Sequence, residues 1–130
     1  MKILIKNGRL VDPASGLDQV GDLAITASRI TALGNVSADF EPDRVIDATG
    51  LIVAPGLVDL AVRLREPGHE HEGMLESELA AAAAGGVTSV VCLPDTEPVL
   101  DEQGLVEMLK FRAEKQHKSR LFPMGALTIG

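Results

Sequence analysis

The chain has 130 residues, of which 45% are hydrophobic and 24% charged, with 13 glycines and 7 prolines. That is the size and make-up of about one globular domain and excludes a disordered or collagen-like chain. A net charge of −7 and an aromatic content of 2%, with no Trp or Tyr, argue against nucleic acid as a partner, which calls for clustered cations and stacking rings. No run approaches the roughly 18 apolar residues of a membrane span, and the opening MKILIKNGRLVDP lacks the apolar core of a secretory signal, so no membrane partner is expected. A single cysteine excludes an internal disulfide framework and suits a reducing compartment, most simply the cytoplasm.

In chain order, Lys2 to Asn7 alternates Ile3 and Ile5 with Lys2 and Lys6, and Asn7-Gly8 supplies a turn signal. Arg9 to Val11 runs into the loop signal Asp12-Pro13. Leu23 to Thr26 and Arg29 to Leu33 are short β runs joined by Ala27-Ser28. Val45-Ile46 and Leu51 to Val53 continue the pattern around Ala48-Thr49-Gly50. Several short strands with turns between them predict a small β-sandwich, or a partial barrel, over residues 1–55.

From Gly56 the period changes. Leu57 to Leu64 is nearly all apolar, interrupted by Asp59 and Arg63, as in a strand buried on both faces. Met74 to Ala84 predicts a helix, with Leu75 and Leu79 four apart and Gly85-Gly86 at its end. Val87 to Leu93 predicts a second buried strand stopped by Pro94, Gln103 to Lys118 a second helix, and Leu121 to Thr128 a third strand. The expected fold class is therefore α/β: a β-sandwich segment followed, over residues 56–130, by the first three strands and two helices of a (β/α)8 barrel. A closed barrel needs at least about 200 residues, so a truncated barrel is expected. Its bare edge and uncovered apolar faces predict an oligomer.

The pieces VIDATG (Val45–Gly50), APGLVDLAVRLREPG (Ala54–Gly68), EHEG (Glu70–Gly73) and AAAAAGGVTSVVCLPDTEPVLD (Ala80–Asp101) resemble the class I dihydroorotase branch of the amidohydrolase superfamily. The likeness runs along the whole chain, including KNGRLVDP near its start. It implies a zinc-dependent cyclic amide hydrolase whose first barrel strand ends in D-x-H-x-H, the two histidines binding the metal. Residues i and i+2 of a strand point the same way, here into the barrel mouth. This chain has Asp59-Leu60-Ala61-Val62-Arg63 in that place. Ala61 carries no donor, and Arg63 is a permanent cation that cannot ligate Zn²⁺. No zinc cofactor, and hence no metal-activated water, is expected at this strand. The resemblance also implies that Arg65, in LREPG, bound a substrate carboxylate together with an Asn where this chain has Asp95. Both are expected to be vestiges, with Asp95 paired to Arg63 or Arg65. The family's remaining ligands and its catalytic Asp come from later strands.

Other groups have plainer readings. His69-Glu70-His71 reads as a solvated loop at a helix entry, with chelation by two His at i and i+2 as the alternative, Glu72 and Glu76 lying nearby. Cys92 reads as a small core residue. Lys110, Arg112, Lys115, Lys118 and Arg120 read as a solvated face, with docking as the alternative. Non-catalytic relatives lacking the zinc histidines assemble with the catalytic chain of aspartate carbamoyltransferase, and the resemblance implies that partner here. The competing expectations are an active zinc-dependent dihydroorotase and a degenerate amidohydrolase with an unrelated ligand-binding role.

Overall fold

The computed structural model describes residues 1–127, and the chain separates into two compact units, Met1–Pro55 and Gly56–Gly130. The final position of the expected third strand, Thr128, lies outside the described residues.

The first unit is built on β1 (Lys2–Asp12), β2 (Leu17–Thr26), β3 (Arg29–Gly34), β4 (Arg44–Asp47) and β5 (Ile52–Val53). These form one five-stranded sheet in the order β3-β2-β1-β4, with β5 also on β1. β1–β2 and β2–β3 are antiparallel; β4 and β5 both run parallel to β1, one beside residues 3–6 and the other beside residues 9–10. Asn7-Gly8 therefore does not turn the chain. Asn7 has φ 60°, and the β1–β2 register shifts between Ile5 and Gly8, which makes this step a β-bulge inside one long strand. The Asp22 carboxylate accepts the Asn7 N–H at 2.9 Å. The tight hairpin falls instead at Ala27-Ser28, both at positive φ, as a two-residue loop between twisted strands requires. Leu10, Leu23, Ala24 and Ala48 are buried in this unit, whereas Val20, Ile30, Val45 and Ile52 are more than half exposed. Residues 1–55 thus supply one sheet layer, and an apolar part of it has no cover within the unit.

The second unit has β6 (Leu57–Val62), α1 (Leu75–Ala84), β7 (Val87–Cys92), α2 (Gln103–Gln116) and β8 (Arg120–Pro123). The strands pair in parallel in the order β6-β7-β8, the βαβαβ arrangement of a barrel segment. Leu64, Leu75, Leu79, Val90, Cys92, Leu100, Leu109, Ala113 and Leu121 form its core. The α2 helix stops two residues short of Lys118 because His117 turns left-handed, φ 50°. The run from Leu57 is a strand but not a buried one. Leu57, Val58 and Leu60 are each more than 60% exposed, since among the described residues β6 is paired on one side only. Among the described residues no helix is long and apolar enough to cross a membrane.

Candidate functional site

The chemistry-bearing residues gather where β6 and β7 end. Val62 lies beside Cys92 in the parallel register, and the Leu93 N–H donates to the Val62 carbonyl at 3.1 Å. Arg63 follows one strand end and Asp95 the other, so the register itself brings them together. Arg63 Nε stands 3.2 Å from Asp95 Oδ2. Asp59 turns inward on its own strand, its Oδ1 accepting the Ala61 N–H at 3.0 Å. A zinc ion does not fit here: Ala61 offers no atom, and the guanidinium already neutralises the nearby carboxylate.

The pair differs from a buried compensating charge. Arg63 is 64% exposed at its side chain and Asp95 37%, so water solvates both and the guanidinium does not need the carboxylate. Such half-exposed pairs contribute about 0.5 kcal/mol. Asp95→Asn is accordingly expected to shift stability by less than about 1 kcal/mol, measured as an almost unchanged urea midpoint.

Arg65 does not share Asp95. Its Nε pairs with Glu72 Oε2 at 3.0 Å, so the two positions that resemble a substrate-carboxylate clamp face different partners. The residue between Arg65 and Pro67 has the strongest anchoring in this region, and sequence reading passed over it. Glu66 is 1% exposed. Its Oε2 accepts the Leu75 N–H at 2.8 Å, which satisfies an orphan donor at the start of α1 and places negative charge at that helix end. Its Oε1 pairs with the Arg112 guanidinium from α2. Arg112 therefore leaves the basic cluster and becomes a structural partner. Lys110 pairs with Glu107, and Lys115 lies 4.1 Å from the centre of the Phe111 ring. The signal available in sequence was a carboxylate placed nine residues before a helix start, inside a Pro-Gly loop.

That loop, residues 63–73, is tightly held. The His69 N–H donates to the Arg65 carbonyl at 2.7 Å and the Glu72 N–H to the His69 carbonyl at 2.9 Å. Glu70's own backbone N–H, and then the Gly68 N–H that Oε1 accepts at 3.1 Å, hold the Glu70 carboxyl below its ordinary range. The loop also meets residues 94–98: the Glu97 N–H donates to the Pro67 carbonyl at 3.0 Å. The Glu66-Pro67 and Glu97-Pro98 peptides are both cis. Thr96 is buried and its hydroxyl donates to the Pro98 carbonyl at 2.9 Å. Cys92 is fully buried, and burial pushes its thiol up from the usual range, which suits packing and not nucleophilic attack.

Comparison with known proteins places this arrangement. The profile of the family described as Dihydro-orotase-like matches residues 50–130. A protein named "Dihydroorotase-like protein" from Pseudomonas aeruginosa is 51% identical over the whole chain, and one of the same name from Pseudomonas putida is 49% identical. A "Dihydroorotase" from Solibacter usitatus is 46% identical. The chain spans only about a third (31%, 31% and 30%) of the length of these relatives. Among solved structures, the L-hydantoinase (dihydropyrimidinase) of Arthrobacter aurescens superposes with a TM-score of 0.83 at 28% identity, over 95% of this chain and 27% of that one. With the profile covering residues 50–130 and relatives half-identical along all 130 residues, the chain belongs to the dihydroorotase-like branch of the amidohydrolases.

Proposed function

We propose that this chain acts as a non-catalytic dihydroorotase-like protein of pyrimidine biosynthesis, a structural and assembly partner of the aspartate carbamoyltransferase catalytic chain. The observation that carries the reading is the pair of positions Ala61 and Arg63, with Arg63 engaged by Asp95 at 3.2 Å where the resemblance implies metal ligands. A fold kept while its ligand donors are gone fits selection for packing and assembly rather than for chemistry. Two relatives named dihydroorotase-like agree with the reading. It entails no zinc at the end of β6, vestigial roles for Arg65 and Asp95, a cytoplasmic location, an oligomeric assembly, and neither nucleic acid nor membrane as partner.

A second reading, an active zinc-dependent dihydroorotase, is favoured by the 46% identity to a relative named "Dihydroorotase". One pair of measurements separates the two. The full-length protein mixed with the carbamoyltransferase catalytic chain is expected to co-elute with it in size exclusion, and to leave dihydroorotate unhydrolysed with or without added Zn²⁺. Separate elution overturns the assembly role; zinc-dependent ring opening overturns the non-catalytic one.

A further inference from the structure

We propose that the loop between β6 and α1 binds a divalent transition-metal ion of the zinc class through His69, His71 and Glu72. This is independent of the assembly role and of the Ala61 and Arg63 positions. One ligand atom each from His69, His71 and Glu72 lies within 4.8 Å of the others. The spacing between individual donors is informative. His71 Nε2 is 3.8 Å from Glu72 Oε1. That separation is too long for a hydrogen bond, which falls near 2.7–3.2 Å. It is close to the separation of two ligands sharing one tetrahedral ion, roughly 3.4 Å for bonds of about 2.0–2.1 Å. The imidazole centres are 6.1 Å apart with planes inclined at 61°, and each ring offers a nitrogen to the same cluster.

The surroundings fit an ion as well. Arg65 Nε holds Glu72 Oε2 at 3.0 Å and so leaves Oε1 turned toward His71; a hydrogen-bonded carboxylate is the usual outer support of a metal ligand. The backbone hydrogen bonds from His69 to Arg65 and from Glu72 to His69 fix both ends of the ligand triplet before an ion arrives. Two imidazoles and one carboxylate form a borderline donor set that suits Zn²⁺, Ni²⁺ or Cu²⁺ better than Mg²⁺ or Ca²⁺. The bound ion ties residues 69–72 together, a structural clamp that requires no catalytic water.

The test uses the metal-free 130-residue chain and ZnCl2 alone, followed by calorimetric titration and by thermal unfolding. One zinc per chain is expected, with a midpoint temperature that climbs with zinc concentration. His69→Ala and His71→Ala are each expected to weaken binding about tenfold or more. His117→Asn, which removes the third histidine while tolerating its left-handed backbone, is expected to bind like the parent. Both loop histidines are partly exposed, so the variants retain the fold, and unchanged far-UV circular dichroism checks this. Absence of heat and of any thermal shift up to about 0.1 mM zinc overturns the proposal. So does binding that loses less than tenfold in both histidine variants.

Discussion

Replacing Arg112 with methionine is expected to cost about 3 kcal/mol of stability, seen as a fall of the urea midpoint on the order of 1 M with an unchanged slope. The reason lies with the residue left behind. Glu66 is 1% exposed and its Oε1 relies on the Arg112 guanidinium, while Oε2 serves the first turn of α1. Methionine keeps the apolar stem of the arginine but strands a buried carboxylate, and an unpaired buried charge is far more costly than the pair is beneficial. Glu66→Gln is expected to be milder, because the amide oxygen still accepts the Leu75 N–H. Combining Glu66→Gln with Arg112→Met is therefore expected to be less destabilising than Arg112→Met alone. A double variant as unstable as the sum of the singles would show that the two side chains do not act on each other.

Arg112 also shows where sequence reading reached its limit. It sits among Lys110, Lys115, Lys118 and Arg120, and a helix face with that pattern reads as solvated. Only the approach of α2 to the loop after β6 reveals its carboxylate, 46 residues earlier in the chain. The βαβαβ order was legible because apolar runs and Gly-Gly or Pro stops are local signals. The pairing of Arg63 with Asp95 was legible for a related reason: parallel neighbours end on the same rim, so register converts sequence position into proximity. What periodicity does not report is the source of cover. Leu57, Val58 and Leu60 have the composition of a strand buried on both faces, yet each is exposed here, because an apolar run specifies what a surface needs and not which residues meet it. Asn7-Gly8 was ambiguous in another way. Positive φ at an Asn serves a hairpin and a bulge equally, and only the pairing of β1 with β2 on both sides of it decides.

Gly68→Ala is expected to destabilise the second unit by about 3 kcal/mol, from two costs that add. Gly68 has φ +104°, a backbone region that L side chains rarely occupy, and holding a residue there costs about 1–3 kcal/mol. In addition, a Cβ at this position would lie 2.4 Å from the Glu97 carbonyl oxygen and 2.6 Å from the Glu97 Cβ. The obstacle is backbone, so no side-chain rotation relieves it, and overpacking of this kind costs about 1–3 kcal/mol more. Relief comes only by parting the two loops, which breaks the hydrogen bond from the Glu97 N–H to the Pro67 carbonyl. That separation also displaces His69, the residue next to Gly68 and a member of the donor cluster. The variant is thus expected to lose stability in urea and, in the same preparation, to bind zinc more weakly than the parent. Gly50→Ala provides the control: its φ is +76° but nothing lies within 4 Å of the added carbon, so it carries the backbone cost alone and lies in the other unit. If both substitutions cost the same, the contact with Glu97 contributes nothing and the two loops are held together by other means.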